Sequence, residues 1–72
     1  MPRKKPFAMY SVFIEYTDNR SSMPFQDSSE RKAAWAFYQA VKSAYLDPLA
    51  YKVKVVRRDG EQTVLLQVQI LR

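Results

Sequence analysis

Three basic side chains, Lys52, Lys54 and Arg58, occupy even-numbered positions of one alternating segment, and the rings of Phe7 and Phe13 occupy odd-numbered positions of another. Cations on one face of a sheet hold phosphates and rings beside them stack on bases, so this combination points to single-stranded nucleic acid. A second basic cluster, Arg3, Lys4 and Lys5 between Pro2 and Pro6, can follow a phosphate backbone. Such an arm adds salt dependence without sequence recognition, and its plainer reading is a solubilising terminus. The same sheet face also fits a protein contact or a homodimer. In that reading Met9, Phe13 and Leu65 form an apolar centre, Gln67 belongs to the polar rim, and Trp35 is an aromatic anchor on a neighbouring helix.

Catalytic chemistry has little to work with. The chain contains no cysteine and no histidine, which removes disulfides, thiolate and imidazole zinc sites, and the Ser-His and Cys-His nucleophilic devices. Asp27 and Glu30 suit a helix start, Asp47 a helix exit, Asp59 a turn, and Glu61 a position opposite Arg58. Glu15 and Asp18 remain, and one strand-end pair of carboxylates is a poor basis for acid-base work or for magnesium. The single glycine, Gly60, is taken by a hairpin, leaving none for a phosphate-cradling loop. The expectation is a non-catalytic binding module with no cofactor and no metal.

The elements that must position these residues follow from hydrophobic periodicity. Between Ala8 and Thr17 the chain alternates, with Ala8, Tyr10, Val12, Ile14 and Tyr16 on one face and Met9, Ser11, Phe13, Glu15 and Thr17 on the other, which predicts a strand. Residues 17–22 are polar turn chemistry and Pro24 extends the chain, so the stretch up to Phe25 reads as a loop. A helix follows from about Ser28 to Tyr45, capped by Asp27, Ser28 or Ser29 and ended by Asp47-Pro48. Its predicted buried stripe is Ala34, Phe37, Tyr38, Val41, Ala44 and Tyr45.

Tyr51–Arg58 and Gln62–Leu71 alternate again around Asp59-Gly60, a dipeptide suited to a two-residue type I′ turn. That turn pairs Arg58 with Glu61, Val55 with Val64 and Val53 with Leu66. It places Tyr51, Val53, Val55, Val64, Leu66, Val68 and Ile70 on one face. The expected fold is therefore α+β, a β-α-β-β domain with a three-stranded antiparallel sheet in the order 1-3-2 and one helix on one face, the alternative order placing strands 1 and 2 side by side and parallel. The last strand, being the most apolar, takes the centre. The opposite face, left open, carries the candidate residues.

With 72 residues and a formal charge of +5, the chain has room for one small core. Residues 1–6 read as a flexible basic arm and residues 7–72 as the domain. Without Arg3, Lys4 and Lys5 the charge falls to +2, so most of the basic excess belongs to the arm. No apolar run approaches the roughly 20 residues that span a bilayer, and a cytoplasmic protein is expected. In scale and architecture the chain is similar to small proteins encoded by phages and mobile elements, many of which bind nucleic acid or block a host protein.

Overall fold

The computed structural model describes residues 8–71, so the arm residues Arg3, Lys4 and Lys5, and Phe7, lie outside the described residues. The order of elements is β1 (Met9–Tyr16), β2 (Ser21–Asp27), α1 (Glu30–Leu46), β3 (Ala50–Arg58) and β4 (Gln62–Gln69). The sheet is antiparallel throughout and has four strands in the order β2-β1-β3-β4. It is thus an α+β domain with one helix on one face, but neither the strand count of three nor the order 1-3-2 holds.

The correction originates in Ser21–Asp27. Asn19 takes a left-handed φ of 67°, which asparagine tolerates better than most residues, and the Tyr16 N–H closes the turn on the Arg20 carbonyl at 2.9 Å. The chain therefore doubles back along β1 as a hairpin. Pro24 is accommodated because β2 is an edge strand, where a missing N–H costs no ladder bond, and the pairing is irregular between Val12 and Ile14. This extra reversal lets the chain leave the helix running antiparallel to β1. β3 then settles directly beside β1, and β4 is left at the outer edge and not in the centre.

The helix begins where the capping residues place it, with the Ser29 side chain accepting from the Lys32 N–H at 3.2 Å and Glu30 in the first turn, where a carboxylate suits the positive end of the helix. It ends at Asp47, whose N–H bonds the Ala44 carbonyl at 3.1 Å and whose carboxylate accepts from the Leu49 N–H at 2.9 Å. Ala33, Ala40 and Ala44 face the sheet and are buried, with Ala36, Phe37 and Val41 packed beside them. Small side chains let the helix lie close over Val12, Ile14, Val53 and Val55. The predicted stripe is therefore rotated: Ala34 is exposed, and Tyr38 and Tyr45 keep 55% and 56% of their surface in solvent.

The β3–β4 hairpin is also displaced from its predicted register. Arg58 faces Gln62, so the loop holds three residues, and Gly60 alone takes a positive φ, 103°. A type I′ turn needs positive φ at both central residues, and Asp59 does not adopt it. A second irregularity lies between Val55 and Val56, whose partners are Leu66 and Val64. Past it the pairs are Val53 with Val68 and Lys54 with Gln67. Leu66, Val68 and Ile70 stay on the helix side as predicted, whereas Val64 turns to the open side with Val56.

Candidate functional site

The face away from the helix is built by alternation from β1 and β3, which lie side by side. The register opposes Met9 to Arg58, Ser11 to Val56, Phe13 to Lys54 and Glu15 to Lys52. β4 adds Gln67 beside Lys54 and Gln69 beside Lys52, and β2 adds Gln26, whose amide donates to the Ser11 hydroxyl at 3.3 Å. Lys52, Lys54 and Arg58 thus stand in one row along β3, at spacings of about 6.6 Å per two residues.

The chemistry concentrates at one end of this row. The Lys54 ammonium lies 2.9 Å from Glu15 and 5.8 Å from the centre of the Phe13 ring. The Tyr51 hydroxyl donates to the other Glu15 oxygen at 3.1 Å, and Lys52 stands 5.6 Å from the centre of the Tyr51 ring. Beside them Arg20 covers the Tyr16 ring at 5.1 Å and pairs with Asp18 at 2.6 Å. A shallow depression of about 400 Å³ opens among Phe13, Glu15, Tyr16, Arg20, Tyr51 and Lys54. Cations above rings and an acceptor carboxylate are the equipment of a polar, stacking site.

Lys54 lowers the pKa of Glu15 below the ordinary carboxylate range, and the Tyr51 hydrogen bond adds to this against the opposing pull of burial. The same carboxylate raises the Tyr51 pKa above the usual phenol value. A depressed carboxylate contributes stability that is complete above its unfolded pKa and disappears as pH falls through the folded one. Glu15→Gln is therefore expected to flatten the loss of stability below about pH 4.5. Denaturant titrations of both proteins between neutral and acid pH check this, and equal acid sensitivity would remove the ion pair from the account.

Of the residues singled out by sequence, Phe13, Lys52, Lys54, Arg58, Met9 and Gln67 share this face. Arg58 is exposed and donates to the Gln62 side chain at 3.2 Å. Leu65 does not belong here: the irregularity at Val56 turns it to the helix side, where it lines a groove with Tyr10, Ala34 and Leu66. Trp35 is on the helix, in the other layer, 65% exposed and 5.9 Å from the Tyr38 ring. It lines a groove between α1 and β2 together with Pro24 and Phe25. Glu61 is not the partner of Arg58, and the hairpin's ion pair is Arg57 with Asp59 at 2.8 Å.

Tyr51 is the residue that alternation misplaces. The β1–β3 register slips between Glu15 and Tyr16, whose partners are Lys52 and Ala50. Tyr51 is the extra residue and reaches Glu15 on the open side, while Ala50 takes the core position. The signal was present in the spacing of Ala50, Val53 and Val55, which breaks strict alternation at Tyr51-Lys52. Among the described residues no helix is long and apolar enough to cross a membrane. Comparison with protein families, with curated proteins and with solved structures finds no match, so what this face does is read from its own residues.

Proposed function

We propose that this chain is a non-catalytic binding module whose open sheet face takes single-stranded nucleic acid, with the basic arm as an auxiliary phosphate contact. The observation that carries the reading is the row of Lys52, Lys54 and Arg58 on β3 beside the rings of Phe13 and Tyr51. Phe13 and Tyr51 are the stacking rings, the cations face phosphates, and Gln67 and Gln69 supply adaptable hydrogen bonds.

The electrostatics set the scale. Residues 8–71 carry eight Lys and Arg against seven Asp and Glu, so the folded body attracts a polyanion only through local arrangement. Each phosphate neutralised on a single strand contributes about 0.7 to the salt slope of log K. With Lys54 held by Glu15 at 2.9 Å, Lys52 and Arg58 together give a slope of about −1.4. The test is a titration of labelled single-stranded DNA and RNA over a range of salt concentrations, using the full chain and a full-length variant with Arg3, Lys4 and Lys5 changed to Gln. Binding that survives in the variant with that residual slope supports the face; binding that vanishes with the arm charges, or never occurs, refutes it.

Glu15 gives a sharper expectation, because it holds Lys54 in an internal pair. Glu15→Gln frees that ammonium and removes the one anion in the row. Affinity for single strands is expected to rise several-fold and the slope to steepen by about 0.7. A residue that only supports the fold would leave affinity unchanged or lower it.

The protein-contact reading keeps one favourable observation: Met23, at the irregular stretch of β2 opposite Phe13, is 45% exposed. Met23→Gln separates the two, since an apolar contact through Met23 fails with it while the stacking rings and the phosphate contacts through Lys52 and Arg58 persist.

A further inference from the structure

Among the described residues, one contiguous run of uncovered apolar side chains lies along the β4 edge. β4 carries no charge from Gln62 to Gln69, and the uncharged stretch continues through Ile70 and Leu71. Val64, Leu65 and Leu66 are 47%, 37% and 52% exposed. The helix lies over β1, β2 and β3, and from Gln62 to Gln67 β4 is exposed. A groove between α1 and β4 is lined by Tyr10, Ala34, Val55, Leu65 and Leu66, with Glu30 at its rim. Tyr38 and Tyr45 follow Ala34 at helical spacing along the same flank of the helix. Of the helix's predicted apolar stripe, Phe37, Val41 and Ala44 pack against the sheet, and Ala34, Tyr38 and Tyr45 are left exposed on this flank.

The two edges of the sheet differ in kind. β2 carries Pro24, which discourages a further strand; both edges have one irregularity of register, and on β4 it lies at Leu65, leaving the stretch from Leu66 to Gln69 regular. β4 has no proline, lysine or other charge on its length. Its hydrogen-bonding direction is fixed by the Ile70 N–H, which reaches the Tyr51 carbonyl at 2.7 Å. By alternation the peptide groups of Val68 also turn inward, and those of Gln67 and Gln69 turn outward.

We propose that a second copy of this chain pairs antiparallel with β4 across a two-fold axis, extending the sheet to eight strands and placing both helices on the same side. A strand edge is self-complementary in the antiparallel sense, so one symmetry operation supplies each copy with both missing parts: a ladder partner for Gln67 and Gln69, and a cover for Leu66, Tyr38 and Tyr45. The uncharged β4 strand puts no like charges opposite each other along the paired edge. The size also fits. Eight residues of strand make an edge of about 26 Å, and sheet plus helix layers stand about 20 Å high, an outline of about 500 Å². That is of the order of the roughly 800 Å² per partner of a stable interface. Pairing at this edge leaves the open face free and doubles it, and it is independent of what that face binds.

Sedimentation equilibrium of the full chain between about 1 and 100 μM tests the assignment, together with Gln67→Pro and Leu66→Lys. The first variant removes an outward N–H that the single chain does not use, and edge strands accept proline. The second puts a charge on a side chain already half in solvent. The wild-type chain is expected at twice its 8.5 kDa mass, with each folded variant raising the dissociation constant at least about tenfold. A wild-type chain that stays monomeric at the highest concentration overturns the proposal. So does a dimer that both variants leave intact, because its interface then lies elsewhere. Circular dichroism verifies that each variant is folded, and Leu66→Lys alone decides the matter should proline disturb the hairpin.

Discussion

Lys52→Glu combined with Arg58→Glu is expected to lower affinity for single-stranded nucleic acid by at least about a hundredfold at low salt, equivalent to about 2.7 kcal/mol. Two phosphate contacts disappear, which makes the salt slope shallower by about 1.4. Two new carboxylates also join Glu15 in the row, and like charges facing a polyanion repel it. Lys54 cannot compensate, because Glu15 already holds it at 2.9 Å. The fold should persist, since Arg58 is exposed and Lys52 stands on the solvent side of β3. A matched control separates the face from overall charge. Lys32→Glu with Lys42→Glu makes the same change of net charge on exposed helix positions in the other layer. If both pairs weaken binding equally, attraction is diffuse and the β3 row is not the site; if only the first pair does, the row is where phosphates sit.

The parts of this site legible in the sequence are those governed by strict period-two alternation. Phe13 and Glu15 could be placed opposite Tyr10, Val12 and Ile14 without knowing any neighbour, because one strand face is enough to define the other. Lys52, Lys54 and Arg58 followed in the same way. Their neighbours were harder. The partner strand of Phe13 depends on whether the chain reverses between β1 and the helix, and Ser21–Asp27 hides that reversal behind proline and polar residues that an edge strand tolerates. One missed strand was enough to change the sheet order, since it flips the direction in which the helix is entered. The helix stripe was misjudged for a different reason. Size marked Tyr38 and Tyr45 as core, but closeness to the sheet selected Ala33, Ala40 and Ala44, and the large rings were left on a flank.

The register of the last hairpin can be decided by a pair of substitutions with opposite expected outcomes. Val53 is fully buried between Ile14 on β1 and Val68 on β4, so Val53→Asp buries a carboxylate in the apolar core. Such a group costs several kcal/mol, whether it stays charged or takes up a proton. A domain of 72 residues has only about 4–11 kcal/mol of stability in total. The expected result is loss of the cooperative thermal transition and of dispersed methyl resonances. Val64→Asp supplies the contrast. Strict alternation from a two-residue turn places Val64 in the core opposite Val55, where the same change would be as damaging. The irregularity at Val56 instead turns Val64 to the open side at 47% exposure, where the cost is about 1 kcal/mol of strand preference. Val64→Asp should therefore unfold cooperatively near the wild-type midpoint, whereas failure of both variants would restore the simple two-residue hairpin. That outcome would also move Leu65 back to the open face, beside Phe13 and Lys54, and make that surface more apolar than the present register allows.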